Sequence, residues 1–163
     1  MQHISIKKFF LIFVAILVAL SGTAVFFFYY GIPIHDINLW RLQKAFAMAN
    51  IRHPEQSALI KEKTYLGGPN EHGSRECVYA VGEMATTPLS KKEITETFKN
   101  INVVFSDEKL PVNVLFSGQR IPYEMPFVAW KEELTNATAR GNTPYIVYIT
   151  TKRSFLGDPR CDD

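Results

Sequence analysis

The sequence predicts an α+β protein: an N-terminal transmembrane helix, then a ferredoxin-like β-α-β-β-α-β domain with one or two extra N-terminal helices, together an α/β sandwich. Three observations carry that prediction. Residues 9 to 30 contain no Asp, Glu, Lys, Arg or His. From Glu76 onward, apolar residues recur at period two or at helical spacing in the order strand, helix, strand, strand, helix, strand. The two cysteines, Cys77 and Cys161, stand at the start of the first of those strands and beyond the end of the last.

The apolar run from Phe9 to Tyr30 makes a helix of roughly 33 Å at 1.5 Å per residue, enough to cross a bilayer core. The lipid bilayer is therefore its expected partner. Lys7 and Lys8 precede the run without a nearby acid, whereas Asp36, Arg41 and Lys44 follow as a mixed set. The positive-inside rule then places the N-terminus in the cytoplasm and the C-terminal domain in the periplasm or outside the cell. Tyr29 and Tyr30 suit an outer interface. Gly22-Thr23-Ala24 has the small residues of a signal-peptide cut, but the apolar run continues through Phe28, past the usual length of a signal core. An uncleaved signal anchor is expected. The segments expected are 1–33 as cytoplasmic stub and anchor, 34–66 as a juxtamembrane helical region, and 67–163 as the extracytoplasmic α+β domain.

Along the soluble part, Asp36 is positioned to cap a helix from Ile37 to Asn50, with Leu39, Leu42, Phe46 and Ala49 on one side. Pro54 suits the first turn of a second short helix, Glu55 to Lys63. Residues 67–74, rich in glycine, read as a loop. Glu76 to Thr86 alternates as a strand. Ser90-Lys91-Lys92-Glu93 matches a capping box, opening a helix with Ile94, Phe98 and Ile101 on its apolar side. Ile101–Ser106 and Val112–Phe116 are expected strands on either side of a polar turn, Asp107–Pro111. Pro126 opens a helix to about Arg140, carrying Phe127, Trp130, Leu134 and Ala137, and Tyr145–Thr150 is the last strand. In ferredoxin-like order, 4-1-3-2, the first and last strands are antiparallel neighbours. That brings Cys77 and Cys161 to one edge, where an oxidising compartment joins them.

Removing the anchor leaves about 130 residues, enough for one domain. The net charge of +2 is too small to imply a polyanion as partner, so no nucleic-acid partner is expected. The histidines of the soluble part, His35, His53 and His72, stand in no metal-ligand spacing, and no metal or cofactor is expected. No G-x-S-x-G or phosphate-cradling glycine loop is present. The reading is a membrane-anchored, non-enzymatic accessory domain that engages another envelope protein. The alternative is a small-ligand binder or enzyme working at the loops around His72, Arg75 and Arg120. A third possibility is self-association along a seam of the Ile37–Asn50 helix centred on Leu42.

Overall fold

A computed structural model of the chain describes residues 6–30, 32–68, 76–119, 128–137, 142–154 and 158–161. Helix α1 (Ile6–Tyr30) is followed by α2 (Ile32–Met48), strand β1 (Ala58–Gly67), β2 (Glu76–Thr87), α3 (Lys91–Phe98), β3 (Asn102–Phe105), β4 (Glu108–Pro111), β5 (Asn113–Phe116), α4 (Val128–Ala137) and β6 (Thr143–Ser154). A 3₁₀ turn, Pro159–Cys161, follows the last strand. Within α1, residues Ile6–Phe26 have a mean hydropathy of 2.7 and none is buried against the rest of the protein. By length and composition this helix is long and apolar enough to cross a membrane, a test that anchors and signal sequences both pass.

The protein is α+β, with a four-stranded antiparallel sheet in the order β1-β2-β6-β5 and a separate β3-β4 hairpin. The expected pairing of the first and last predicted strands is present: β2 and β6 run antiparallel over their full lengths, from Glu76↔Ser154 to Thr87↔Thr143. The remainder of the ferredoxin-like order is not. In that topology the other edge of β2 would take the strand at 112–116. Here β1 occupies that edge, from Ala58↔Thr86 to Gly67↔Val78. The 112–116 segment pairs instead with β6, Asn113 opposite Tyr148. The strand at 102–105 is withdrawn from the sheet altogether, because Ser106 and Asp107 both adopt positive φ (47° and 69°) and fold it back on β4. Two consecutive positive-φ residues make the tight hairpin turn whose twist matches antiparallel strands.

Two helix predictions also change. The segment read as a short helix from Glu55 to Lys63 is mostly edge strand β1. Its Lys61-Glu62-Lys63 run has good helix formers, but pairing with β2 overrides a weak local preference, and charges on an edge strand discourage pairing with other chains. Helix α2 starts at Ile32, before Asp36, so Asp36 lies inside the helix and is not its cap. Pro33 falls in the first turn, where its missing N–H has no helical partner to lose.

Alternation along β2 and β6 sends side chains to two cores. On one face Cys77, Tyr79, Val81, Tyr145, Val147 and Ile149 meet Leu42 and Phe46 of α2, Ile94 and Phe98 of α3, and Val103, Phe105 and Leu110 of the hairpin. On the other, Ala80, Met84, Leu115 and Ile146 meet Trp130 and Leu134 of α4. The result is three layers. Helices α2 and α3 share one face and α4 alone covers the other, because α3 leads into the hairpin and not into a central strand. Burying each large apolar side chain contributes about 1.5–3 kcal/mol. Gly82 stands opposite Tyr148 where β2 pairs with β6. A Cβ there would press on the Val147 carbonyl and lie 2.7 Å from the Tyr148 Cβ. The capping box of α3 is formed: Ser90 N–H donates to Glu93 Oε2 at 2.9 Å and Glu93 N–H to Ser90 Oγ at 3.4 Å.

Candidate functional site: two histidine networks and the grooves beside α2

His35 lies on the buried stripe of α2 that continues through Leu39, Leu42 and Phe46, at spacings of four, three and four. Its side chain is 0% exposed. Nδ1 is hydrogen-bonded to the Tyr79 hydroxyl, and Nε2 is 3.6 Å from Cys77 Sγ. Tyr79 and Cys77 are two apart on β2 and so share one face. Cys77 is joined to Cys161, with Cα atoms 5.1 Å apart and 84 residues between them in sequence. Beside the crosslink, Asp158 is wholly buried and chelated by Arg160: Nε donates to Oδ1 at 3.0 Å and Nη2 to Oδ2 at 2.6 Å. Arg160 also reaches α2, donating from Nη1 to Asp36 Oδ1 at 2.8 Å. The short tail is thus bound to β2 by a covalent bond and to α2 by a guanidinium.

Electrostatics follow from burial. Desolvation of the imidazole, with the nearby Arg160 charge, holds His35 below the ordinary histidine range despite Asp158 and Asp36. Burial pushes the Tyr79 phenol up. Burial pushes the Asp158 carboxyl up as well, but hydrogen bonds and charge from Arg160 together outweigh it and leave Asp158 below its usual range. Arg160 is in turn raised, first by its bond to Asp158. At neutral pH this region therefore holds a neutral imidazole, a neutral phenol and a charge-assisted carboxylate–guanidinium pair.

The second network stands where the 51–57 connection crosses the sheet. His53 Nε2 lies 2.7 Å from Glu83 Oε2, and Nδ1 lies 2.7 Å from the Tyr145 hydroxyl. That hydroxyl is 3.2 Å from Ser57 Oγ. A carboxylate, an imidazole, a phenol and a hydroxyl in series resemble a proton relay. Tyr145 is 0% exposed, however, and burial raises its pKa, the opposite of an activated phenol. The network secures the connection to the sheet, with Phe98 edge-on to His53 at 5.9 Å.

Two open grooves flank α2. One, of about 650 Å³, runs between α2 and β3, lined by Arg41, Lys44, Met48, Asn102, Val104 and Ser106. Met48 is 83% and Val104 66% exposed. The other, of about 310 Å³, lies between α2 and the β1-β2 edge, with Trp40, Gln43, Glu62 and Thr64 among its walls. Lys44 stands over the Trp40 ring, 3.9 Å from its centroid.

Of the residues singled out in the sequence, Cys77 and Cys161 are brought together. His72, Arg75 and Arg120 lie outside the described residues, as do residues 69–74 of the glycine-rich loop, whose first residue, Gly67, instead ends β1. Leu42, named as part of a self-association seam, is 0% exposed and packs in the core against β2 and β6. The two histidine networks were missed. Starting the helix at Ile37 concealed that His35 falls on the same stripe as Leu39 and Leu42, which was the available signal. For His53 the sequence offered none, since Glu83 and Tyr145 are 30 and 92 residues away. Comparison with protein-family models, with characterised proteins and with solved structures finds no match for this chain.

Proposed function

We propose that the protein is a single-pass membrane-anchored accessory domain. Its N-terminus is cytoplasmic, its α+β domain is held on the periplasmic or extracellular side, and it acts by engaging another envelope protein through the groove between α2 and β3. The observation that carries this reading is the groove itself: exposed Met48 and Val104 beside Arg41 and Lys44 form an apolar floor with a basic wall. Such a surface suits a partner segment that is apolar and acidic. The side of the membrane is supported by Lys7 and Lys8 ahead of the apolar run and by the Cys77–Cys161 crosslink, which fits an oxidising compartment.

A photo-crosslinking amino acid placed at position 48 or 104, with position 132 on the opposite face as control, tests the reading in intact membranes. The expected result is one adduct of discrete mass from positions 48 and 104 and none from 132. Equal labelling at all three positions, or no adduct at the groove, contradicts it.

A further inference from the structure

The group formed by His35, Cys77 and Cys161 has the donor set of a metal site once its two sulfurs are free thiols. One potential ligand atom from each residue lies within 4.8 Å of the other two, and all three residues are buried. Zinc takes sulfur at about 2.3 Å and imidazole nitrogen at about 2.0–2.1 Å in tetrahedral geometry. Those lengths set a nitrogen–sulfur edge of about 3.6 Å and a sulfur–sulfur edge of about 3.8 Å. His35 Nε2 already stands 3.6 Å from Cys77 Sγ. Its other ring nitrogen is held by the Tyr79 hydroxyl. This is the outer-shell bond that orients a ligating histidine and aims its free nitrogen at the metal. Beside the group, Asp36 and Asp158 both pair with Arg160.

We propose that in the dithiol form of the chain, before the crosslink closes, His35, Cys77 and Cys161 bind one zinc(II) ion. The same three residues then have two ways of joining α2, β2 and the C-terminal tail: through a metal, or through a sulfur–sulfur bond with His35 left as a neighbour. Metal binding forms two zinc–sulfur bonds and one zinc–nitrogen bond and releases one proton from each thiol. Conversion to the crosslinked form requires a disulfide oxidant. The two thiolates give up two electrons and form the Cys77–Cys161 bond, the oxidant's own sulfur–sulfur bond breaks to two thiolates, and zinc(II) leaves unchanged in charge. The choice of a soft, sulfur-preferring ion follows from the S₂N donor set. Its consequence is a folded, metal-held precursor, because binding to the native arrangement alone stabilises it.

The test uses the full chain in detergent micelles, reduced with a phosphine and handled without oxygen. Titration with cobalt(II) is expected to give one equivalent of thiolate-to-metal charge transfer with intense visible bands, bleached by zinc. The crosslinked chain is expected to give neither. X-ray absorption on the zinc-loaded reduced chain is expected to show two sulfur neighbours near 2.3 Å and a nitrogen near 2.0–2.1 Å. Tyr79→Phe, which keeps every ligand, is expected to weaken zinc binding about 10–100-fold, and His35→Ala to weaken it further. The proposal is overturned if the reduced chain shows no thiolate charge transfer, if the crosslinked chain takes up metal equally, or if fewer than two sulfurs are found. It is also overturned if His35→Ala binds like the wild type. The absorption measurement is made on the unaltered chain, so it does not depend on a variant folding.

Discussion

The two faces of the sheet are built by different means. The face toward α2 is assembled from distant segments: residues 35–46, 94–112 and the tail at 158–161 converge on β2 and β6. It carries both histidine networks and the crosslink. The face toward α4 is covered by one helix that lies in sequence between the two strands it helps to join, β5 and β6. Its core is small, and one of its contacts is an ion pair between buried Lys63 and half-exposed Glu133. A segment that follows its neighbours in the chain costs little entropy to dock, whereas one that returns over a long loop costs more and gains more from a covalent constraint.

The largest effect is expected on the first face. Leu42→Asp buries an unpaired charge between α2 and the sheet, and should cost about 4–5 kcal/mol or more. Ile37→Asp, on the exposed side of the same helix, should stay within about 0.5 kcal/mol. Urea unfolding in detergent, followed by tryptophan fluorescence, distinguishes them. If both variants lose the same stability, α2 does not pack as described.

Removing the crosslink comes next. In the chain-entropy account, opening a loop that spans 84 residues of separation costs about 4–5 kcal/mol. Cys77→Ser with Cys161→Ser, measured by denaturant midpoint without added metal, should fall by that order. Hydrogen exchange should rise first along α2 and the tail, and least along α4. Uniform loss of protection would remove the distinction between the faces.

Leu134→Ala on α4 opens a cavity in the smaller core and should cost about 2–5 kcal/mol. Loss of protection there should stay nearer to β5 and β6. A thermal scan with site-resolved exchange checks both points.

The smallest effect is electrostatic. The hydrogen bond from Lys63 holds Glu133 below its ordinary value of 4.5. A carboxylate lowered in the folded state contributes stability above its unfolded pKa and loses it as pH falls through the folded one. Stability should therefore decline on acidification below about pH 4.5, and Glu133→Gln should flatten that slope. Replacing the pair together, Lys63→Met with Glu133→Leu, should be neutral or slightly stabilising. A loss of several kcal/mol would show that the pair contributes more than its geometry implies.

These regions also differ in how far the sequence disclosed them. Alternation through Cys77, Tyr79 and Val81, and through Tyr145, Val147 and Ile149, identifies β2 and β6 because both faces of those strands are apolar. The capping box marks α3 from local chemistry alone. What escaped reading is decided by partners far along the chain. Ala58–Gly67 becomes a strand only because β2 offers it an open edge. The 102–111 hairpin turns on positive φ at Ser106 and Asp107, which neither residue type demands. Asp36 looks like a cap and is instead the α2 end of a bond to Arg160, 124 residues later. His53 likewise acquires its partners from two strands that local pattern cannot place beside it.

The most direct test of the whole account is protease treatment of intact cells or spheroplasts carrying a C-terminal tag. The account predicts that the tag and the α+β domain become accessible to external protease once the wall is opened, leaving a membrane-embedded fragment that contains Ile6–Phe26. A C-terminal domain that stays protected until the membrane is lysed would contradict it.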